Sequence, residues 1–489
     1  MLEVKAVNLK RVKVDTLVVP VCEDRDIHTD KLLTSLVAAA KSFAEFKGKK
    51  GDVITLFQPA ETRITRAVFF GLGKAGTLDG ESFRAFAGNA VKFCINAGLS
   101  AMTLATPSAT ELTVNAETLF GSLMEGSCLG NHIFDRYKME KEKTPVKKVV
   151  LMATAAQKKA YSSLVKSVAA VCGASLKARE WVTTPSNDKR PEAFADMIRN
   201  AAREVGLKTR IMDDRWLEKQ QFGAMLAVGQ GSSAKPRLVV MEYSPKAAKK
   251  TIVLVGKGVT FDSGGINLKP SGSIETMKMD MSGAAAVAGT MLAVAHLKPD
   301  VKVVGVMPIV ENMPSGTAIR PGDIIRSYAG KTIEIGNTDA EGRLILIDAM
   351  AWAIRHYQPD TLIDLATLTG ACVVALGEKI AGVFSKDPDL AATIVASGEK
   401  THERCWQLPL PEDYKELLKN DFADLNNVSN GRWGGAITAA LFLSEFVGDT
   451  RWAHIDIAGP VWAKKASDYC GAGGTGFGVR LLCDLIGKI

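Results

Sequence analysis

The sequence predicts an α/β protein with two domains, each a mixed sheet covered by helices. The chain has 489 residues, which is more than one ordinary hydrophobic core can organise. Short apolar runs rich in β-branched and aromatic residues alternate with longer runs of helical periodicity. In the second half, the strand-like runs are almost continuously apolar, which is typical of a largely parallel sheet with both faces covered.

The predicted elements follow this alternation along the whole chain. Strands are predicted at 16–21, 66–70, 147–152, 251–256, 301–309, 361–366 and 452–457. Helices are predicted at 81–97, 111–128, 155–182, 284–297, 344–357, 435–446 and 476–486. We place the domain boundary in the third of these helices, so that an N-terminal α/β domain with a linking helix spans residues 1–175. A larger C-terminal domain then spans residues 176–489.

The composition is that of a globular protein in a reducing compartment. Hydrophobic residues make up 47% of the chain and charged residues 23%. The first six residues lack the pattern of a signal peptide, and the longest apolar run, 284–297, is too short to span a bilayer. Eight cysteines are spread widely without a Cys-x-x-Cys pair. We therefore expect a cytoplasmic protein with no membrane association.

The net charge of +8 is concentrated in residues 1–166, which hold 24 Lys and Arg against 17 Asp and Glu. A solvated surface of mixed charge is the simpler interpretation, and a basic surface for nucleic acid is the alternative. The glycines of residues 71–76 match G-x-G-x-x-G, but no acidic residue follows about 20 positions later. That motif is therefore interpreted as a turn and not as a nucleotide site.

Charged residues that could bind metal cluster in two segments of the C-terminal domain. Lys257 and Asp262 follow a predicted strand, and Lys269 and Asp280 lie in the glycine-rich loop after it. Ligands gather at the carboxyl ends of strands in open α/β sheets. The second segment, 337–344, carries Asp339, Glu341 and Arg343 between a β-like run and a helix.

Four carboxylates in one apolar cleft would repel one another strongly. Two divalent cations would neutralise that repulsion, and ligation by oxygen suits Mn²⁺, Mg²⁺ or Zn²⁺. The alternative is that these carboxylates lie solvated on loops and pair with lysines.

The segment Asn337-Thr-Asp-Ala-Glu-Gly-Arg-Leu344 resembles the signature of the leucyl aminopeptidase family, the cytosol aminopeptidases. Lys257-Gly-Val-Thr-Phe-Asp-Ser-Gly-Gly265 is similar to that family's first metal-binding segment, and weaker similarity lies at 366–370 and 452–459. The similarity covers about residues 180–489. It implies a catalytic C-terminal domain that hydrolyses N-terminal amino acids, preferring Leu and similar apolar residues, from peptides. It also implies a homohexamer.

The resemblance implies a role for each residue of the cluster. Asp262 and Glu341 would bridge two metal ions, Asp339 would complete one site, and Lys257 and Asp280 the other. The ions would be Mn²⁺ or Zn²⁺, with Mg²⁺ or Co²⁺ as alternatives, and together they would activate a water molecule. A lysine ligates only as a neutral amine, so the alternative for Lys257 is an ion pair with an aspartate.

Two further residues would be catalytic by the same resemblance. Lys269 would remain protonated and stabilise the oxyanion, and Arg343 would hold a bicarbonate ion that carries the proton. The alternative for Arg343 is a structural bridge to a ligand carboxylate. The substrate side chain would contact Met277, Thr367, Leu368, Gly370 and Ala458, for which plain core packing is the alternative.

Two other functions are consistent with the sequence. A two-metal phosphoesterase would use the same ion pair, although neither segment contains the histidines that such sites commonly include. Binding of duplex DNA by the basic N-terminal domain is a secondary role that some bacterial members of the family are reported to have.

Overall fold

The computed structural model describes residues 2–60, 62–429, 431 and 433–489. The chain forms two compact units, one of Met1–Gly173 with Lys465–Ala472 and the other of Ala174–Lys464 with Gly473–Ile489. The segment 465–472 lies with the first unit although it is distant in sequence. Lys92 donates a hydrogen bond to the carbonyl of Cys470 at 2.9 Å, and the Asn89 amide donates to Asp468 at 2.9 Å.

The first unit contains a six-stranded sheet in the order β1-β6-β5-β2-β4-β3. Its strands are β1 (Leu2–Lys5), β2 (Val14–Cys22), β3 (Val53–Phe57), β4 (Ile64–Gly73), β5 (Ala101–Leu104) and β6 (Lys148–Met152). All pairs are parallel except β3 with β4. The central strand β2 is buried along most of its length, as its near-continuous apolar sequence requires.

Among the described residues, five α-helices begin in this unit, and the last of them continues past Gly173 into the second unit. They are α1 (Lys31–Lys41), α2 (Gly80–Asn96), α3 (Ala116–Gly130), α4 (Ala155–Tyr161) and α5 (Leu164–Thr183). The helix predicted from residue 111 begins only at Ala116, because the Asn115 side chain caps it by accepting the Thr118 N–H at 2.9 Å. The single helix predicted over 155–182 is divided into α4 and α5.

The second unit is built on a nine-stranded mixed sheet in the order β16-β15-β18-β14-β9-β11-β8-β7, with β10 paired to β11. These strands are β7 (Lys208–Met212), β8 (Arg237–Tyr243), β9 (Thr251–Gly256), β10 (Gly258–Asp262), β11 (Lys302–Asn312), β14 (Thr361–Ala366), β15 (Ala381–Phe384), β16 (Cys405–Gln407) and β18 (Trp452–Asp456). The short strands β12 (Ile324–Arg326), β13 (Thr332–Glu334) and β17 (Leu425–Asn426) form a second sheet, and β19 (Trp462–Ala463) pairs with β20 (Gly473–Gly474). The central strands β18, β14, β9 and β11 run parallel, so their carboxyl ends meet at one edge.

Nine α-helices lie within the described part of this unit. They are α6 (Pro191–Glu204), α7 (Asp214–Lys219), α8 (Gly223–Gly229), α9 (Ser282–Leu297), α10 (Glu341–Tyr357), α11 (Gly370–Leu376), α12 (Pro388–Thr401), α13 (Gly435–Ser444) and α14 (Val479–Ile486). Helix α10 begins at Glu341, three residues before the predicted start, and α14 begins three residues after its predicted start. The helical stretch Ile274–Leu297 is long and apolar enough to cross a membrane, but 83% of its most apolar window is buried inside the protein. It is therefore a core helix, as expected for a sheet that helices cover on both faces.

The two mixed sheets with their helices confirm the predicted α/β fold class. One apolar core cluster of the second unit lies between the sheet and helices such as α8 and α10, where Val253, Val255 and Leu344 are fully buried. Burying each such side chain contributes about 1.5–3 kcal/mol before the entropy of ordering is counted. This packing holds the strand ends rigidly, and the polar cluster lies on those ends.

Candidate active site

Five elements of the second unit bring the predicted metal ligands together. Lys257 lies between β9 and β10, and Asp262 is the last residue of β10. Asp280 follows the 3-10 helix Ile274–Met279, and Glu341 is the first residue of α10. Asp339 lies in the loop directly before that helix. The end of β10, the loop after it and the start of α10 therefore place residues that are up to 84 positions apart in one cleft.

Three of the carboxylates form a tight group. Asp262, Asp280 and Glu341 are buried, and each offers an oxygen atom within 4.8 Å of the others. Like charges at this separation repel strongly where water is excluded. The group therefore requires cations in contact with it.

Two lysines supply positive charge among the side chains themselves. The Lys257 ammonium lies 2.8 Å from Asp280 and 2.8 Å from Glu341. The Lys269 ammonium lies 2.8 Å from Asp262 and also contacts Asp339 at 2.5 Å. Lys257 thus forms the ion pairs that are the alternative to metal ligation. To bind a metal ion, it would have to lose its proton.

Burial and the mutual charges shift the pKa values of this group in opposite directions. Burial would lower the pKa of Lys257, but Asp280, Glu341 and Asp262 outweigh that effect and raise its pKa above the ordinary value. Burial would also lower the pKa of Lys269. The negative charges of Asp262, Glu341 and Asp339 outweigh it and raise this pKa above the ordinary value. For the acids, burial is the main cause: it raises the pKa of Asp280 well above its usual range and, with Asp262 and Glu341, that of Asp339 to about 6.

Glycines allow the ligand segments to approach one another. Gly264 and Gly265 have φ values of +87° and +66°, so the turn after Asp262 uses the left-handed region that favours glycine. A Cβ atom on Gly342 would lie 2.6 Å from Cε and 2.7 Å from Nζ of Lys257. A side chain at position 342 would therefore displace the end of the Lys257 side chain from its place beside Glu341.

Two residues that the sequence analysis did not single out tie the ligand loops together. The Asn312 amide donates hydrogen bonds to Asp262 at 2.8 Å and to the carbonyl of Thr338 at 3.1 Å. The Thr338 hydroxyl donates to the carbonyl of Gly264 at 2.6 Å. Asn312 ends strand β11, next to β10. The only sequence signal for it is its place after a predicted apolar strand, which many loop residues share.

Arg343 lies in the first turn of α10 and is buried. One guanidinium nitrogen donates to the carbonyl of Asn427 at 2.6 Å, whereas its Nε has no hydrogen-bond partner among the described residues. Within the described part of the chain, no carboxylate lies within ion-pair distance of Arg343. Burial lowers the pKa of Arg343 to about 10, although Glu341 and Asp456 oppose this shift. The guanidinium therefore remains charged at neutral pH.

Several of the predicted pocket residues border the carboxylate group. The carbonyl of Thr367 accepts a hydrogen bond from Lys257 at 2.8 Å, and its hydroxyl donates to Asp280 at 2.7 Å. Met277 lies in the 3-10 helix, where its carbonyl accepts the N–H of Asp280 at 3.3 Å. The backbone N–H groups of Leu368 and Ala458 both donate hydrogen bonds to the carboxylate of Asp456. Gly370 begins α11, and a Cβ atom there would meet nothing within 4 Å.

The donor set fits hard divalent cations. The buried Oδ2 of Asp280 has no hydrogen-bond partner among the described residues, so its lone pairs are left uncompensated. The grouped ligands are carboxylate oxygens with no sulfur and no histidine in the described cluster. Oxygen-rich sets of this kind suit Mg²⁺, Mn²⁺ and Zn²⁺.

Carboxylates converging from several loops on the carboxyl edge of a largely parallel sheet, with lysines among them, are characteristic of a metal-dependent hydrolase. Residues 176–483 match the catalytic domain of the cytosol aminopeptidase family, and residues 18–141 match its N-terminal domain. The chain belongs to the cytosol aminopeptidase family. The recognition made from the 257–265 and 337–344 segments is thus confirmed, as is the expectation that the larger C-terminal domain is the catalytic one.

Similar proteins extend over nearly the whole chain. A probable cytosol aminopeptidase of Streptomyces avermitilis is 42% identical over 93% of this chain and 90% of its own length. That of Syntrophotalea carbinolica is 41% identical over 97% of both chains. Among solved structures, the bottromycin maturation enzyme BotP in complex with Mn is 34% identical, with a TM-score of 0.86 over 97% of this chain and 99% of that one.

Family membership establishes the broad activity. The protein is a metal-dependent aminopeptidase, and its substrates are peptides. The phosphoesterase alternative is thereby set aside. The acidic group and the manganese complex of a similar structure support divalent metal ions as the cofactor.

Proposed function

We propose that this aminopeptidase uses two metal ions and prefers N-terminal leucine and similar apolar residues. The observation that carries the proposal is the group of Asp262, Asp280 and Glu341, whose oxygens lie within 4.8 Å of one another. Asp262 and Glu341 would be shared by both ions, Asp339 would complete one site, and Lys257 with Asp280 the other. Mn²⁺ or Zn²⁺ are the proposed ions, with Mg²⁺ or Co²⁺ as alternatives.

Two bound divalent ions would supply the Lewis acidity that peptide hydrolysis needs. The chain's own residues do the rest. Lys269 keeps its proton, because the surrounding carboxylates raise its pKa. Its ammonium can therefore donate a hydrogen bond to the oxyanion that develops on the carbonyl. Lys257 is held in place by the carbonyl of Thr367, which supports its role as a ligand once it is neutral.

We propose Arg343 as the residue that holds a bicarbonate ion. Its guanidinium has no acceptor atom and stays charged, so it cannot itself take a proton from water. The Nε atom is buried and unpartnered among the described residues, which leaves a donor for an anion. Bidentate contact with a planar oxyanion is favourable for a guanidinium.

The substrate side chain is proposed to contact Met277, Thr367, Leu368, Gly370 and Ala458. The shared bonding of Thr367 to Lys257 and Asp280 supports this, because it puts that loop beside the metal ligands. An adaptable methionine and small residues suit an unbranched or γ-branched apolar side chain.

The test is reconstitution of metal-depleted enzyme with Mn²⁺, Zn²⁺ or Mg²⁺, with leucyl anilide as substrate. We expect two ions per chain in the wild type and in Lys269→Ala, with most turnover lost in the variant. Asp339→Ala should bind one ion less. Full activity in either variant, or a single ion per wild-type chain, would contradict the proposal.

Assembly, location and domain limits complete the proposal. We propose a homohexamer in the cytoplasm, with an N-terminal domain over residues 1–175 and the catalytic domain over residues 176–489. Family membership supports the hexamer. The eight cysteines are present as thiols, which supports a reducing compartment. Light scattering of the eluted protein tests the hexamer, and a mass of one, two or three chains would exclude it.

A secondary role in binding duplex DNA rests on the basic balance of residues 1–166. A protein that contacts several phosphates loses affinity steeply as salt rises. Electrophoretic shift of duplex DNA over a salt series tests the hypothesis, and no shift at the lowest salt would remove it.

A further inference from the structure

Asp456 is a fully buried carboxylate that belongs to none of the roles above. It ends strand β18, where it pairs in register with Ala366 of β14. Within the described residues, no lysine or arginine lies within 4.0 Å of it. A buried carboxylate that forms no ion pair with lysine or arginine is held mainly by hydrogen bonds, and the donors show which parts of the chain it joins.

The donors to Asp456 come from two different loops. Its Oδ1 accepts the backbone N–H of Leu368 at 3.2 Å and that of Ala458 at 3.1 Å. Its Oδ2 accepts the hydroxyl of Thr369 at 2.7 Å. Leu368 and Thr369 follow β14, whereas Ala458 follows β18, so one carboxylate joins the loops that leave two adjacent strands.

The first of these loops also contacts the metal-ligand group. Thr367 precedes Leu368 and bonds to both Lys257 and Asp280, at 2.8 and 2.7 Å. Thr369 caps helix α11 by accepting the N–H of Cys372 at 3.0 Å. The residues on both sides of Leu368 are therefore anchored, one to the ligands and the other to Asp456.

We infer that Asp456 is a positioning residue that sets the shape of the side-chain pocket by holding Leu368 and Ala458 at a fixed separation. The inference rests on the proposed pocket. It assigns to Asp456 no contact with substrate or metal. Without this acceptor, two backbone N–H groups and one hydroxyl would lose their buried partner and the two loops would separate.

The test compares hydrolysis of leucyl and glycyl 4-nitroanilides by Asp456→Ala and the wild type. The ratio of kcat/KM for the two substrates should fall by about tenfold, because an apolar pocket discriminates side chains by roughly 10- to 200-fold. The loss should appear mainly as a raised KM for the leucyl substrate. Asp456→Asn should keep a ratio near that of the wild type, since its oxygen can accept both N–H groups and its amide can donate to the Thr369 hydroxyl.

Asp348→Ala is the matched control. Asp348 is also fully buried and accepts two backbone N–H groups, from Met225 at 3.0 Å and Tyr328 at 2.7 Å. The control should lower the melting temperature and leave the substrate ratio unchanged. An unchanged ratio in Asp456→Ala, or an equal fall in both variants, would overturn the inference.

If Asp456→Ala does not fold, Thr369→Val removes the hydroxyl that donates to Asp456 and caps α11, and it keeps the side-chain shape. It should lower the ratio in the same direction, and Thr369→Ser should restore it; an unchanged ratio in Thr369→Val would overturn the inference. A wild type with no preference for the leucyl substrate would instead refute the proposed pocket, and so the two failures are distinguishable.

Discussion

The ammonium group of Lys257 lies 2.8 Å from the carboxylate of Glu341, and this contact joins the end of strand β9 to the first turn of helix α10. The helix backbone approaches Lys257 closely only because residue 342 is glycine. The same carboxylate belongs to the proposed metal site. This ion pair therefore links the close approach of α10 to the geometry of the proposed metal site.

Gly342→Ala should reduce kcat/KM about a hundredfold, because displacement of a reacting group by about 1 Å has that effect. The new methyl group would lie 2.6 Å from Cε of Lys257. Alanine favours helix over glycine by about 1 kcal/mol, so loss of activity would not come from a weaker helix. Gly316→Ala is the control, since a Cβ atom there meets nothing within 4 Å. Steady-state kinetics and metal analysis would decide, and wild-type activity in Gly342→Ala would contradict the close approach.

Asn312→Ala should weaken metal binding by about 10- to 100-fold, the usual effect of losing a group that orients a ligand. The variant removes the amide that donates to both Asp262 and the carbonyl of Thr338. Calorimetric metal titration measures the change. As a control, Asn131→Ala removes an amide that bridges the backbone of Val146 in the other unit, and it should leave metal affinity unaltered.

Asp364→Ala should lower the free energy of unfolding by about 1–3 kcal/mol for each of the two buried donors that lose their acceptor. Asp364 accepts hydrogen bonds from the His454 ring at 2.6 Å and from the Trp452 indole at 2.7 Å, and all three side chains are buried. Thermal unfolding followed by tryptophan fluorescence is the measurement. Asp421→Ala, at an exposed position, should have little effect, and equal melting temperatures for the two variants would refute the prediction.

Asp348 should make stability depend on pH between about 4 and 7. Burial raises its pKa to about 7 although backbone N–H groups oppose the shift, whereas the unfolded chain has the ordinary value near 3.8. A raised pKa in the folded state contributes stability that is present at low pH and is lost as pH rises through 7.

Asp348→Asn removes this titration. The melting temperature of the variant relative to the wild type should therefore increase from pH 4.5 to pH 7.5 and then level off. Thermal unfolding of both proteins in matched buffers measures the difference. A difference that does not vary with pH would show that Asp348 is ionised throughout.

The clustering of the candidate site residues could largely be predicted because they occupy two short continuous segments. Lys257 and Asp262 lie within six residues, and Asp339, Glu341 and Arg343 within five, next to strand-like runs that are apolar enough to be recognised. The fold class follows from the same local periodicity. The start of α10 was harder to predict from the sequence, because the helix begins at Glu341, before its apolar pattern appears.

The apolar patterns of β9, β14 and β18 identify them as buried strands, and the short segments identify the chemistry. The partners of each lysine, and the roles of Asn312 and Asp456, depended on the order of strands in the sheet. Asn312 contacts a residue 50 positions away and Asp456 one 88 positions away. Hydrophobic periodicity is a local property of the chain, whereas these contacts arise only when distant strands pair side by side and their ends meet at one edge.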